Sequence, residues 1–185
     1  MTTERTQPTW QSDLIARHPA LFNLTEHGRT STPGWPTCGD GWRDLVETAV
    51  GRIAKAVAAA PAGSLRIVQV KEKFAGLRLY WHGAGLSDEI KSAVEEAVAL
   101  AEARSACTCE VCGVEGRLYN RGGWFATACP DHAQGDPVAI RPGRENVHIV
   151  RTIDAGRIRI KSCRRYDRAA DKFVDVDPKS LSIEE

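Results

Sequence analysis

The chain has 185 residues, with 25 Lys and Arg against 24 Asp and Glu for a net charge of +1. This excludes the strongly basic balance of a protein that coats nucleic acid, and equally an acidic tail protein. Apolar residues reach 42% but aromatics only 6%, enough for one principal core of modest size. No apolar run nears the roughly 18 to 20 residues that span a bilayer, and the opening MTTERTQPTWQSD has neither a basic n-region nor an apolar h-region. The expectation is a soluble, cytoplasmic protein without membrane contact, in a reducing compartment where clustered Cys and His among its six cysteines point to metal binding rather than to disulfides.

Residues 1–39 read as a short helix near Trp10 to Arg17 followed by a loop, because TSTPGWPTCGDGW breaks the backbone too often for a long regular element. Asp40 is placed to cap a helix whose apolar stripe is Trp42, Leu45, Val46, Ala49, Val50, Ile53, Ala54 and Val57, ended by Pro61 and Gly63. LRIVQVKEKF and LRLYW then form an antiparallel hairpin turning at Ala75 and Gly76, with Leu77, Leu79 and Trp81 on one face. Ser87 caps a second helix with the stripe Ile90, Val94, Ala97, Val98 and Ala101, its acidic first turn and Arg104 matching the helix dipole. Residues 40–106 thus form a helix–hairpin–helix core, α+β in class, with both helices expected on one face of the sheet.

Residues 107–140 carry the clearest chemistry. Cys109 and Cys112 lie two residues apart, and after sixteen residues Cys129 and His132 repeat the interval. Each pair can grip one edge of a tetrahedron from a tight turn, which is the pattern of a zinc site. Gly113 permits the knuckle turn, RLYN-RGG-WFATA reads as a hairpin returning the second pair to the first, and Cys129–Pro130 suits the start of a short helix. Together these make a treble-clef-like finger. Cys107 is too close to Cys109 to join the knuckle, and Cys38 and Cys163 read as packing residues. Three thiolates and one imidazole fill four positions, so the Zn2+ is expected to be structural.

Residues 141–185 read as a three-stranded antiparallel meander, NVHIVRTID, RIRIKSCRRY and KFVDVDP, with a frayed SLSIEE end. Strand alternation places Arg157, Arg159, Lys161 and Arg165 on one face, opposite Ile158 and Ile160, as a candidate surface for an anionic partner. Lys71, Lys73 and Arg78 around Phe74 are a second candidate, although Phe74 is expected to fold onto the core, and Trp35, Trp42, Trp81 and Trp124 are expected to be mostly buried.

CGDGW at 38–42, VQVKEKFAGLRLY at 68–80, TCEVCG at 108–113 and GGWFATACPDHA at 122–133 together resemble a family of small bacterial and phage-borne zinc-binding proteins. The resemblance covers about residues 38–133 and departs mildly at Ala75, where the family usually has glycine. It implies a metal site on Cys109, Cys112, Cys129 and His132 and a mobile-element setting, and it implies no reaction. The sequence lacks HExxH, a P-loop, GxSxG and the zinc-deaminase signature. No catalytic residue is assigned; Glu72 with His82 has no spacing logic, and His148 alone is too little for a nuclease hairpin. The resulting expectation is a binding protein, an adaptor engaging a protein partner and host machinery. The alternatives are a nucleic-acid binder using the C-terminal basic strand and, third, a metal-dependent nuclease or hydrolase.

Overall fold

The computed structural model describes residues 9–60 and 62–182. Trp10–Arg17 forms α1, capped by the Thr9 hydroxyl, which accepts from the Ser12 N–H, and Pro19–Phe22 adds the single turn α2. Within the expected loop the chain makes a small hairpin, β1 (Leu24–Glu26) and β2 (Arg29–Ser31), turning at His27 and Gly28 with positive φ. Such short strands carry too little periodicity to be read from sequence.

Strand β3 (Pro36–Thr37) pairs parallel with β4 (Ser64–Lys73), which pairs antiparallel with β5 (Gly76–Ala84). A bulge at Val68 separates the Ile67 and Gln69 pairings, so Leu65, Ile67 and Val70 all turn to the core despite their odd spacing. Leu77 and Leu79 are buried beside them, and Trp81 packs against the same cluster. The hairpin turns at Phe74 and Ala75, with φ of 53° and 63°, one residue earlier than expected. Left-handed backbone at both positions is the geometry in which Gly is relaxed, so Ala75 carries a small conformational cost.

Helix α3 (Arg43–Ala58) follows a short 3-10 turn, Asp40–Trp42, and buries Leu45, Val46, Ala49, Val50 and Ile53. It stops at Ala58, before Gly63; Pro61 lies outside the described residues. Helix α4 (Asp88–Ser105) starts as expected, with the Ser87 hydroxyl accepting from the Ile90 N–H, and Val94, Ala97 and Ala101 join the same core. Trp42, Phe22 and Leu14, all fully buried, close that core from the N-terminal side. A second apolar face of α4, missed in the sequence, carries Leu100 and Ala103, which pack with Cys107 and Tyr166.

Strands β6 (Arg117–Arg121) and β7 (Trp124–Ala128) form the finger hairpin, and β8 (Asp136–Pro137) adds to the other side of β6. The helix expected from Cys129–Pro130 does not form. Residues 130–132 make a turn, with the His132 N–H donating to the Cys129 carbonyl at 3.1 Å. The helix of a treble-clef arrangement is therefore replaced by this turn and a third strand.

The C-terminal meander is present as β9 (Val147–Asp154), β10 (Arg157–Asp167) and β11 (Lys172–Asp175), in the order β11-β10-β9. It is fastened to α4 and α3 by Arg164–Glu96 at 2.7 Å and Arg52–Asp171 at 2.7 Å, and Tyr166 donates to Asp171 at 2.7 Å. Of the end expected to fray, Ser180 and Leu181 close a 3-10 turn, and Arg144 donates to the Leu181 carbonyl; residues 183–185 lie outside the described residues. Among the described residues no helix is long and apolar enough to cross a membrane.

Candidate metal centre

The knuckle is built from local backbone bonds. The Cys109 N–H donates to the Val114 carbonyl at 2.8 Å, the Gly113 N–H donates back to the Cys109 carbonyl at 2.9 Å, and Gly113 turns the chain at φ +78°. Cys129 leaves β7 directly, and β7 is held beside the knuckle because the Glu110 N–H donates to the Thr127 carbonyl at 3.2 Å. The donor atoms of Cys109, Cys112, Cys129 and His132 consequently lie within 4.8 Å of one another, an arrangement that could bind a metal ion.

The edges of this cluster test the fit. A tetrahedral ion with bonds of about 2.3 Å to sulfur and about 2.0 Å to nitrogen needs edges of about 3.8 Å for S···S and about 3.5 Å for S···N. The Cys112–Cys129 Sγ separation is 3.7 Å, and His132 Nδ1 stands 3.7 Å from Cys109 Sγ and 3.2 Å from Cys129 Sγ. Burial alone would push the Cys109 thiol up, but the backbone N–H groups of Cys129, Cys112 and Val111 outweigh it and bring it down to about 6. At the exposed Cys112 the Val114 N–H favours the thiolate, yet slight desolvation and the sulfurs of Cys109 and Cys129 push it up on balance. One thiolate thus forms readily and resists the next, a charge conflict that a bound cation removes.

The remaining cysteines are a different chemistry. Burial, reinforced by Glu110 and Asp40, pushes Cys38 up to about 12, and burial also raises Cys107, whose thiol faces the Arg104 carbonyl at 3.3 Å. Cys163 is buried within β10. Among the described residues all six cysteines are free.

What the sequence missed is how the knuckle docks. Residues Gly39–Trp42 wrap around it: the Gly39 N–H donates to the Glu110 carboxylate at 2.9 Å, the Gly41 N–H to the Glu110 carbonyl at 2.8 Å, and the buried Trp42 indole to the Thr108 carbonyl at 2.9 Å. A Cβ on Gly41 would sit 2.3 Å from the Cys109 carbonyl oxygen and 2.7 Å from the Cys112 nitrogen. Asp40 does not cap α3; its carboxylate accepts from the Trp10 indole at 2.8 Å, and the cap position of α3 falls to Trp42. On the opposite side the buried Thr127 hydroxyl donates to the Ala75 carbonyl at 2.7 Å, fastening the finger to the tip of the β4–β5 hairpin. The available signal was CGDGW itself, two glycines flanking an acid before a Trp, in a stretch otherwise read as a loop.

The candidate cations separate into two groups. In β10 a bulge lies between Ile160 and Ser162, so Lys161 is unpaired and the alternation resets. Arg157 and Arg159 keep one face, but Arg165 falls on the other, where it donates to the Gly143 carbonyl. Arg159 stands 3.6 Å from Asp154. Ile158 is 58% exposed, so the outer end of the strand has no buried edge. Lys71 and Arg78, by contrast, pair directly across β4 and β5, with Lys73 further along the same face. Phe74 does not fold onto the core; it is 75% exposed.

Arg78 also reaches a cleft of about 300 Å³ that it shares with Glu102 and His148. Burial pushes the Glu102 carboxyl up against the pull of Arg78, and burial with Arg164 nearby pushes His148 down. His148 stacks on Phe173 with centroids 5.5 Å apart. Glu72 and His82 are not brought together, since Glu72 accepts from the Ala75 N–H at the hairpin tip while His82 pairs with Arg66 near the far end. Of the tryptophans, Trp42 is buried and Trp81 half-buried, but Trp35 is exposed and Trp124, at the finger tip, is 79% exposed. Compared with family models, curated proteins and solved structures, the chain matches none.

Proposed function

We propose that the chain is a non-enzymatic binding protein in which Zn2+ on Cys109, Cys112, Cys129 and His132 acts as a structural clamp, and that it serves as an adaptor for a protein partner. The observation that carries the clamp is the edge geometry of the four donors, with the knuckle wedged against Gly39–Trp42 and the finger tied to the hairpin tip. Soft thiolates and an imidazole in a four-donor set favour zinc over harder cations, and a catalytic zinc would ordinarily keep one of its positions for water. A metal-dependent hydrolase is correspondingly the weakest reading. Free cysteines throughout the described residues fit a reducing, cytoplasmic setting, and a phage or mobile-element origin engaging host machinery rests on the sequence resemblance.

The adaptor reading is supported by an apolar rim on the finger. Trp124, Phe125 and Val111, at 79%, 42% and 58% exposure, border a shallow groove beside His132. Large exposed apolar groups on a rigid support are a common mark of a protein contact. Metal analysis of protein purified without chelators should find one zinc per chain, and Cys109→Ser should lose it. A partner captured by the native chain and released by Trp124→Asp, with zinc content unchanged, supports the adaptor role; equal capture by both overturns it. Nucleic-acid binding is the second reading, carried by the cations of β4 rather than by the C-terminal strand.

A further inference from the structure

We infer that the outward face of the β4–β5 hairpin is a platform for single-stranded nucleic acid, with Tyr80 and Phe74 stacking on bases and Lys71, Lys73 and Arg66 meeting the phosphates. This rests on the reading of the chain as a binding protein and adds a ligand class and a site to it.

The pairing register defines the face. Leu65, Ile67, Val70, Leu77 and Leu79 turn inward, so the cross-strand pairs Arg66–His82, Gln69–Tyr80 and Lys71–Arg78, followed by Lys73, turn outward. Lys71, Lys73 and Arg66 lie on this face, and none of the three forms an ion pair with a carboxylate among the described residues; the Arg78 guanidinium instead folds back to donate to the Leu77 carbonyl and faces Glu102. Glu72, the acidic residue of the two strands, is on the inward phase and is occupied by the Ala75 N–H. On a chain of net charge +1, three cations along one face of β4 are not a composition effect. They favour a polyanion.

Aromatic rings interrupt the charge. Tyr80 is 44% exposed in the middle of the face with the Lys71 ammonium 5.8 Å from its centroid, and Phe74 is 75% exposed at the tip with Lys73 at 5.3 Å. Phe74 is held outward at φ 53°, a backbone state that costs an aromatic residue about 1 kcal/mol. Stacking on these rings needs unstacked bases, which a single strand offers and a duplex does not. An acidic peptide would meet the charges but leave the rings unused. From Arg66 to Lys73 the strand runs about 20–25 Å, enough for a site of about four nucleotides.

The test uses the full zinc-bound chain with a fluorescent oligothymidylate of about 12 nucleotides. Three phosphate contacts predict a loss of affinity of roughly 20-fold between about 50 and about 200 mM salt. Lys71→Glu with Lys73→Glu should weaken binding at least about tenfold and flatten the log–log salt slope by about 1.4. Tyr80→Ala should cost at least about fivefold and Tyr80→Phe little. Zinc content and melting temperature report whether each variant is folded. Independently of any variant, backbone amide shifts of the unmodified protein on adding the oligonucleotide should cluster in Gln69–Lys73 and Arg78–His82.

Four results would each overturn the inference: no single strand bound at about 50 mM salt, amide shifts confined elsewhere, a duplex of equal length bound as tightly, or polyglutamate displacing the probe as well as unlabelled oligonucleotide does. A negative outcome with zinc at one per chain leaves the clamp standing. A native chain without zinc removes the clamp whatever the oligonucleotide does.

Discussion

Gly41→Ala probes the joint between the Cys109–Gly113 knuckle and the core at a single methyl group. Gly41 has ordinary negative φ, so alanine meets no intrinsic backbone strain there and the whole effect comes from contact. Its Cβ would lie 2.3 Å from the Cys109 carbonyl oxygen, 2.5 Å from the Gly113 nitrogen and 2.7 Å from the Cys112 nitrogen. All three are backbone atoms and cannot rotate away, so the knuckle must retreat by about 1 Å to reach normal contact distance. Overpacking of this kind costs about 1–3 kcal/mol. The retreat also stretches the Gly41–Glu110 and Trp42–Thr108 hydrogen bonds, worth about 1 kcal/mol each. The sum of about 3–5 kcal/mol corresponds to a fall in melting temperature of roughly 6–20 °C for a chain of this size.

Because Cys109 and Cys112 flank the contact, zinc affinity measured by competition with a chromophoric chelator should fall roughly 10- to 100-fold, the usual scale for disturbing groups that orient metal ligands. Gly51→Ala is the internal control. It lies within α3 with nothing within 4 Å of its Cβ, and should raise stability by about 0.5–1 kcal/mol through helix propensity. Equal melting temperatures and chelator curves for native and Gly41→Ala protein would refute the docking described here.

Cys→Ser at 109, 112 or 129 should release zinc and destabilise the finger, whereas Cys38→Ala and Cys107→Ala should keep one zinc per chain; metal analysis decides between them. Thr127→Val keeps the shape but leaves the Ala75 carbonyl without its buried donor, so it should cost about 1–2 kcal/mol and roughly 2–8 °C in a thermal melt. At Asp171, burial would push the carboxyl up, but the Tyr166 hydroxyl and the Arg52 guanidinium hold it below its ordinary value. A depressed carboxyl contributes stability that is fully present above the unfolded value near 4 and is lost as pH falls through the folded one. Asp171→Asn should therefore be less stable than the native chain by about 1–2 kcal/mol at neutral pH, with the difference closing in urea melts below about pH 4. An unchanged gap at low pH would refute the ionic contribution.

The features legible in the sequence are those whose cause is local. Two Cys/His intervals of two residues can each close only from a tight turn, so they name a candidate ligand set before any fold exists, and the structure brings those four residues together. The same holds for the Ser87 cap, for the apolar stripes of α3 and α4 and for the three strands of the meander, since a cap or a period of 3.6 or 2 is written within a few neighbours. Tertiary packing decided the rest. A bulge at Val68 keeps Leu65, Ile67 and Val70 on the core side, while the bulge at Lys161 sends Arg165 away from Arg157; one inserted residue reverses every later side chain, and nothing local marks the insertion. Asp40 binds Trp10 instead of capping its own helix, CGDGW embraces a knuckle some seventy residues on, and Trp124 stands in solvent. Each depends on which distant surface arrives opposite, and periodicity along the chain contains no term for that.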